Sequence, residues 1–589
     1  MRVLLLHPED DFSGPWKDES WDWVVDLGRG PRSFYDERSA AYGCPVSSIY
    51  DFAREIEDLQ IWRDLFGIGM GRVVDRYGID WWDVVGLSLH SDLQDMRLAA
   101  RLAPRLGVEC SLIASRTSQL AAALALQLGI ELKVLQSGIG PHLRNRAAHY
   151  KSALRNLSFA QIRQIAFDKY DPHYHWRLKF ARTAPPCSQS VVLLPTAYSN
   201  VTKTALNFAR RLPEQQFLLV LARESAAVAQ LPANVQSASL ASFATDLVDP
   251  EELRELEEKW ARLDTLLREH PEFKLATRLG IVNHGLEFLR RGLSVRNAWN
   301  RVYENFSVAG CLSGDDTNPY TRIPLILARR RNLPAVACHH GALDGRMAFK
   351  VPEFSTYLAQ GEMERDYLQQ VCGVDSRRIR VGAATASSQK GVLWTRDAPY
   401  IAFFTEPYET DFWRADAIYR EVLPRLCAAA RQAGKKVLLK LHPFETVAQR
   451  QRLVNAALNE ADRDVVSVLA TPMSHEILAA TWCAVTVEST VACECAGVGI
   501  PVFMCGWLRH AYCGYMPQFA RFGVGRILDS PDDLLHIPEM TRDAVPVPGV
   551  ASRLSQPIVP GALADVLLQP VNSCGSPEAF HESAAASLR

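Results

Sequence analysis

Short unbroken apolar runs alternate along this chain with longer stretches in which apolar residues recur every third or fourth position. Unbroken runs are the mark of strands buried on both faces, and the longer period is that of helices packed against them. Three blocks of this alternation follow one another. In the first, RVLLLH (2–7), WWDVVGLSLH (81–90), ECSLIAS (109–115) and LKVLQ (132–136) read as strands, and LQDMRLAARLAPRLG reads as a helix. The second opens with SVVLLPTAYSNVTKTALNFARRLPEQQFLLVLA, a strand, loop, helix and strand in turn. A helical insert follows: Asp249 is placed to cap it, Pro250 suits its first turn, and Leu253, Leu256, Trp260, Leu263 and Leu267 form one stripe. That stripe suits core packing better than a binding groove. Strands then resume at FSVAGCL (306–312), LPAVACHHG (333–341), FSTYLAQ (354–360) and RIRVGAA (378–384). The third block contributes YIAFFTE, KKVLLKLH, DVVSVLA, CAVTVEST, PVFMC and GRILD.

The alternation predicts an α/β protein with parallel sheets in tandem. The expected layout is a Rossmann- or flavodoxin-like domain at 1–140, a basic and aromatic helical connector at 141–186, α/β domains at 187–390 and 391–565, and a disordered tail at 566–589. Length agrees, since 589 residues exceed what one core can serve. A net charge of −1 gives no overall footprint for nucleic acid. Thirteen cysteines without a repeated spacing read as reduced thiols. The opening residues read as a strand, not a signal peptide, and LAAALALQLGIEL (120–132) is too short to span a bilayer. The expectation is a cytoplasmic protein; whether the connector at 144–182 holds it peripherally at the inner membrane stays open.

Ligands of open parallel sheets bind outside the carboxyl ends of the strands. In the third block His442 follows the second strand, Glu488-Ser489-Thr490 the fourth, and Trp507, Arg509 and His510 the fifth. A doubly wound sheet would bring these groups to one rim. His442, in KKVLLKLHPFE, is either a locally bonded strand end or a ligand. Ser489 and Thr490 stand where a strand hands over to a helix, as an anion cradle or as a simple cap. No Glu or Gln lies three residues after either, so the reciprocal capping box is absent. Glu494 lies one helical turn further in, where a carboxylate can accept from a ribose diol, and Gly499-Ile500-Pro501 suits a tight turn.

These residues carry a resemblance. Glu494, Gly499, Pro501 and Val502 resemble the E-x-x-x-x-G-x-P-V element of glycosyltransferases of the two-domain GT-B fold. Lys440-Leu441-His442-Pro443 with Ser489-Thr490 is similar to the HP and Ser-Ser/Thr elements of bacterial sialyl-, polysialyl- and Kdo-type transferases, and of CDP-glycerol polymer transferases. The resemblance covers roughly 330–530. It implies a GT-B pair, acceptor side at 187–390 and donor nucleotide at 391–565, behind an extra N-terminal domain. It further implies that His442, Ser489 and Thr490 hold phosphate and that Glu494 holds ribose; Lys440 and Arg509, by their places at the strand ends, are donor-side candidates beside them. Thr486 stands where many retaining members carry a second glutamate, eight residues before Glu494.

On the acceptor side the strand-end segment is Tyr198-Ser199-Asn200, and CHHGALDGR resembles the His-Gly segment of the CDP-glycerol and capsule-type transferases. Inverting transfer needs a general base, for which Asp316, His340 and Asp344 are candidates. SGDDTNPYTR reads equally as a turn capping the helix after it. The implied activity is metal-independent transfer of a sugar from a nucleotide-sugar to a surface polysaccharide, capsule or lipopolysaccharide, or to a lipid-linked glycan. A CMP-linked donor such as CMP-Kdo or CMP-sialic acid is favoured over a uridine one. No cofactor is expected, because the nucleotide-sugar is a substrate. The alternatives are an enzyme like the non-hydrolysing UDP-sugar 2-epimerases, and a non-catalytic nucleotide-binding scaffold of a polysaccharide assembly complex. Gly67-x-Gly69-x-Gly71 follows a helix and Asp462-Arg463-Asp464 precedes a strand, so neither reads as a ligand site. Cys493, Cys495, Cys505, His510 and Cys513 read as core thiols, not a zinc set.

Overall fold

The computed structural model describes residues 1–135, 189–244, 248–341, 354–384, 394–443, 445–508 and 514–569. The expected connector at 141–186 lies outside the described residues, as do Asp344, Arg509, His510, Cys513 and residues 570–589.

Three parallel sheets follow one another, as expected. The first holds β1 (Arg2–Leu6), β2 (Trp23–Asp26), β3 (Val46–Ser48), β4 (Ser111–Ala114) and β5 (Leu132–Val134), in the order β3-β2-β1-β4-β5. The second holds β6 (Val191–Thr196), β7 (Gln216–Leu221), β8 (Val235–Ser239), β9 (Val308–Ser313), β10 (Ala335–Ala337), β11 (Thr356–Ala359) and β12 (Ile379–Val381), in the order β12-β11-β10-β9-β6-β7-β8. The third holds β13 (Tyr400–Phe404), β14 (Lys436–Lys440), β15 (Val466–Leu469), β16 (Thr481–Thr486), β17 (Val502–Cys505) and β18 (Arg526–Leu528), in the order β15-β14-β13-β16-β17-β18. Each is doubly wound. The chain reverses direction between β1 and β4, between β6 and β9, and between β13 and β16, and ligands of such sheets sit at that reversal. Central strands β6 and β16 are buried at every position, which is why they read as continuous apolar runs.

One predicted strand is corrected. WWDVVGLSLH (81–90) is the first part of a long helix, Trp81–Leu106, whose start is capped by the Asp80 carboxylate accepting from Trp82 N at 3.1 Å. Trp81, Trp82, Val84, Val85 and Leu89 are all buried, because this half of the helix is enclosed by the helix Glu55–Gly69 and by the insert. A helix covered all round loses its polar stripe and imitates a buried strand. The insert largely follows its pattern: Asp249 caps Pro250–Leu267, and Leu256, Trp260, Leu263 and Leu267 are buried, while Leu253 at its start is only partly buried. Short, partly polar β2, β3 and β8 escape the reading by pattern, since WVVD, VSS and VQSAS offer too few apolar positions.

The blocks interlock. Asp75 and Asp83 of the first pair with Arg296 and Arg322 of the second, all buried. At the other end the helix Pro560–Leu568 packs Leu563 and Leu567 against Leu312 and Val336 of the second sheet. The chain thus crosses back from the third block, and this helix, Pro560–Leu568, includes residues 566–568 of the expected tail. Among the described residues no helix is long and apolar enough to cross a membrane.

Candidate functional site

Register sets the geometry of the third rim. Phe404 on β13 is level with Lys440 on β14 and with Thr486 on β16. Two residues further on, Glu406, His442 and Glu488 therefore leave three adjacent strands at one height, beside the reversal between β13 and β16. Adjacent strands lie about 4.8 Å apart, so the backbones at His442 and Glu488 are separated by about 10 Å across β13.

Three buried glutamates tie these loops together. Glu406 Oε1 accepts from Glu488 N at 2.7 Å and from Thr486 Oγ1 at 3.2 Å. Glu488 Oε1 accepts from Met516 N at 2.9 Å. Glu445 Oε2 accepts from His442 N at 2.7 Å and from the Thr405 hydroxyl, while its Oε1 takes Arg450 Nε at 2.7 Å. Irregular backbone at a buried strand end leaves amides with no ladder partner, and the carboxylates satisfy them. Glu488 was read from the sequence only as part of a strand-end segment on this rim, and Glu406 and Glu445 were not candidates at all, yet one signal was present. Glu445 lies three residues after His442, the spacing at which a glutamate bonds back to the amide at a turn or helix start. Its own N donates to His442 O at 2.9 Å.

His442 thus has a fixed main chain and a partly exposed ring. Burial, and secondarily the Lys440 ammonium, lowers its pKa below the ordinary histidine value. A neutral imidazole offers one N–H donor and one acceptor. Lys440 is 7% exposed, its Nζ donates to Leu441 O at 2.7 Å, and burial lowers its pKa as well. Across β13, Ser489 is partly buried and Thr490 exposed. Ser489 Oγ accepts from Val491 N at a long 3.4 Å, and Thr490 forms no side-chain cap on the helix Val491–Gly497. Capping therefore occupies one hydroxyl weakly and leaves the other outside that role. Glu494 sits in the first turn of this helix, partly buried. Gly499 makes the turn into β17 at φ +83°, a left-handed conformation that favours glycine. Trp507 is on the same rim after β17.

The second rim collects a different set. Tyr198, just past β6, donates its hydroxyl to Asp315 Oδ2 at 2.9 Å, and the same oxygen lies 3.4 Å from both ring nitrogens of His340. Ser199 and Asn200 open the following helix, partly buried and exposed. The His339 and His340 rings are 4.6 Å apart. Burial, then the neighbouring His339, lowers the His340 pKa to about 4, so the ring is neutral near pH 7. Asp316 lies beside an arginine. It is 1% exposed, its carboxylate lies 3.5 Å from Arg322 Nη1, and Arg322 is also held by Asp83. The cap on the helix Pro319–Arg330 is Asn318, through Tyr320 N at 3.0 Å. Asp315 closes the preceding turn on Thr317 N at 2.7 Å.

The two rims approach each other. The helix Glu362–Gln370, just past β11, packs on Met516–Arg521, past β17. Gln518 Nε2 donates to Met363 O at 2.9 Å and Asp366 Oδ2 at 2.8 Å, and the Tyr367 and Tyr515 rings are 4.6 Å apart. Among the described residues no three His, Cys, Asp or Glu side chains converge as metal ligands. Cys495 and Cys505 are buried, and burial pushes the Cys493 thiol up to about 12.

No protein-family model matches the chain, and no curated protein sequence matches it. Among solved structures the chain is similar to the wall teichoic acid polymerase TagF, at 12% identity over 75% of this chain and 98% of that one, with a TM-score of 0.32. It is similar to MurG of Acinetobacter baumannii at 13% identity over 64% of this chain and 99% of that one, TM-score 0.38. The UDP-GlcNAc 2-epimerase of Neisseria meningitidis, bound to UDP-GlcNAc, matches at 10% identity over 64% and 97%, TM-score 0.36.

Proposed function

We propose that the chain is a glycosyltransferase that takes its sugar from a nucleotide-sugar held on the third rim and passes it to a glycan or lipid-linked acceptor on the second. The supporting observation is the register that sets His442 and Ser489-Thr490 on either side of the β13/β16 reversal, about two strand spacings apart. A nucleotide phosphate in that gap would meet the His442 N–H on one side and two hydroxyls on the other. Fixed donors of this kind stabilise the charge that develops on a leaving nucleotide, so the step asks for no metal. Glu494 would hold the ribose diol. His340, neutral and backed by Tyr198 and Asp315, is the base we favour for the acceptor hydroxyl; Asp316 is engaged by Arg322. The donor we favour is CMP-linked, as the His-Pro and Ser/Thr pairing suggests, and the site of action is the cytoplasm.

A thermal-shift series with CMP, CDP, UDP and GDP tests this. A ligand present at 100 times its Kd adds about 2.7 kcal/mol to stability. Cytidine nucleotides should raise the midpoint most, and His442→Ala should abolish the shift. No shift with any of the four would remove the proposal. Conversion of a UDP-sugar with no acceptor present would replace transfer by epimerisation.

A further inference from the structure

The turn at 405–414, between β13 and the helix Ala415–Ala433, touches both the first sheet and the third rim. Its distal end pairs with the first block like a strand: Arg29 N donates to Phe412 O at 2.8 Å, and Arg414 N donates to Arg29 O at 2.7 Å. Arg414 then reaches into the rim of the first sheet. Its Nε and Nη2 hold Asp26 at 2.9 and 2.6 Å, Nη1 donates to Asp10 O at 2.6 Å, and Nη2 to His7 O at 3.2 Å. Asp26 ends β2, where dinucleotide-binding sheets place the acid that takes ribose. Here it is occupied by Arg414, by Tyr35 Oη at 2.9 Å and by Gly28 N at 3.0 Å. Phe412 sits at φ +63°, a conformation that a bulky residue adopts only when its surroundings impose it.

The proximal end of the turn is tied to the donor rim. Glu406 takes Glu488 N, and Glu409 holds Arg450 through two bonds of 2.5 and 2.6 Å. Arg450, 1% exposed, also holds Glu445, whose other oxygen takes His442 N. Between the two ends the turn is closed on itself, by Tyr408 N to Glu406 O at 2.8 Å and Trp413 N to Tyr408 O at 3.0 Å, with Tyr408 fully buried. The first block is in turn fixed to the second by Asp83–Arg322 and Asp75–Arg296.

We infer that the first block is a brace for the donor loop. The Asp26–Arg414 interlock sets the position of the 405–414 turn, and Glu409, Arg450 and Glu445 carry that position to His442. Arg450 and Glu445 are positioning residues. The role given to His442 rests on the donor reading above, whereas the mechanical link does not.

Hydrogen exchange and CMP titration on the full chain test both halves. Arg414→Met should speed exchange in peptides 405–414 and 441–452, while 189–221 on the second sheet stays as protected as before. Glu409→Gln, a change at a half-exposed side chain, should loosen 441–452 alone. In both variants CMP affinity should fall roughly tenfold, equivalent to about 1.4 kcal/mol. Unchanged exchange at 441–452 in both variants overturns the brace. So does loosened exchange with unchanged CMP affinity. If the wild-type chain binds no CMP yet exchange follows the stated pattern, the mechanical link stands and the donor reading falls separately.

Discussion

The first and third sheets are built alike and end differently. Both are parallel and doubly wound, and both carry an acid and a histidine at their carboxyl ends. In the first, Asp26 and the carbonyls of His7 and Asp10 are closed over by Arg414 of the third block. In the third, the acids Glu406, Glu445 and Glu488 are turned inward onto loop amides, and His442, Ser489 and Thr490 keep contact with solvent. One winding can therefore end as a docking surface or as a rim whose groups stay open to solvent. Which it becomes depends on whether its strand-end groups are occupied by protein.

The sharpest way to break the contrast is Arg414→Ala. It leaves Asp26 buried without its cation, and removing one partner of a buried pair costs about 3–5 kcal/mol. The urea midpoint should drop accordingly, and unfolding of the first block should separate from that of the third. At the other rim the proposed transfer puts the largest effect on rate. In that reading His442→Ala removes a fixed donor to the leaving nucleotide, worth about 2–4 kcal/mol, so kcat should fall by about a hundredfold or more with stability nearly unchanged. An Arg414 variant that lost only rate, or a His442 variant that lost only stability, would reverse the roles assigned to the two rims.

A smaller effect is expected at Glu494. Hydrogen bonds to a charged group contribute about 1.5–3 kcal/mol, and Glu494→Gln keeps the shape of the side chain while removing its charge. Affinity for the ribonucleotide should fall by about tenfold, and affinity for the 2′-deoxy form should fall less, because half of the diol is already missing. Equal losses for both sugars, read by calorimetry, would separate Glu494 from the ribose.

How much of this was legible in the chain follows from burial. Strands such as VVLLPT and WCAVT are covered on both faces, so composition alone reveals them. The same covering made WWDVVGLSLH look like a strand when it is a helix, because an enclosed helix has no polar side to betray its period. Position on a rim was readable for His442 and Ser489, since it needs only the order of strands and loops. The partners of Asp316 and Asp26 were not. Arg322 lies six residues from Asp316, but the Asp83 that shares it is 239 residues away, and Arg414 is 388 from Asp26. Long-range ion pairs leave no periodic trace. Asp315 and Asp316 are adjacent acids that the chain cannot tell apart, and only the turn onto Thr317 shows which of them meets Tyr198.

The second rim lies between the two cases, and its pH response measures how far. Burial holds the His340 pKa near 4, below the ordinary 6.5. Between those values the unfolded chain binds the proton and the folded chain does not. The stability His340 contributes is therefore complete above pH 6.5 and is lost as pH falls toward 4. The groups facing the ring are His339, whose charge would oppose protonation, and Asp315 and a backbone bond with Gly314, which favour it; the Tyr198 hydroxyl lies against the ring and donates to Asp315. Since solvent reaches part of the ring, the loss between pH 7 and 5 should be about 1 kcal/mol. Urea midpoints at the two pH values give the slope, and His340→Gln should remove that share of it. A variant with the wild-type slope would mean that the ring titrates as if exposed, and the second rim would then belong with the open third rim.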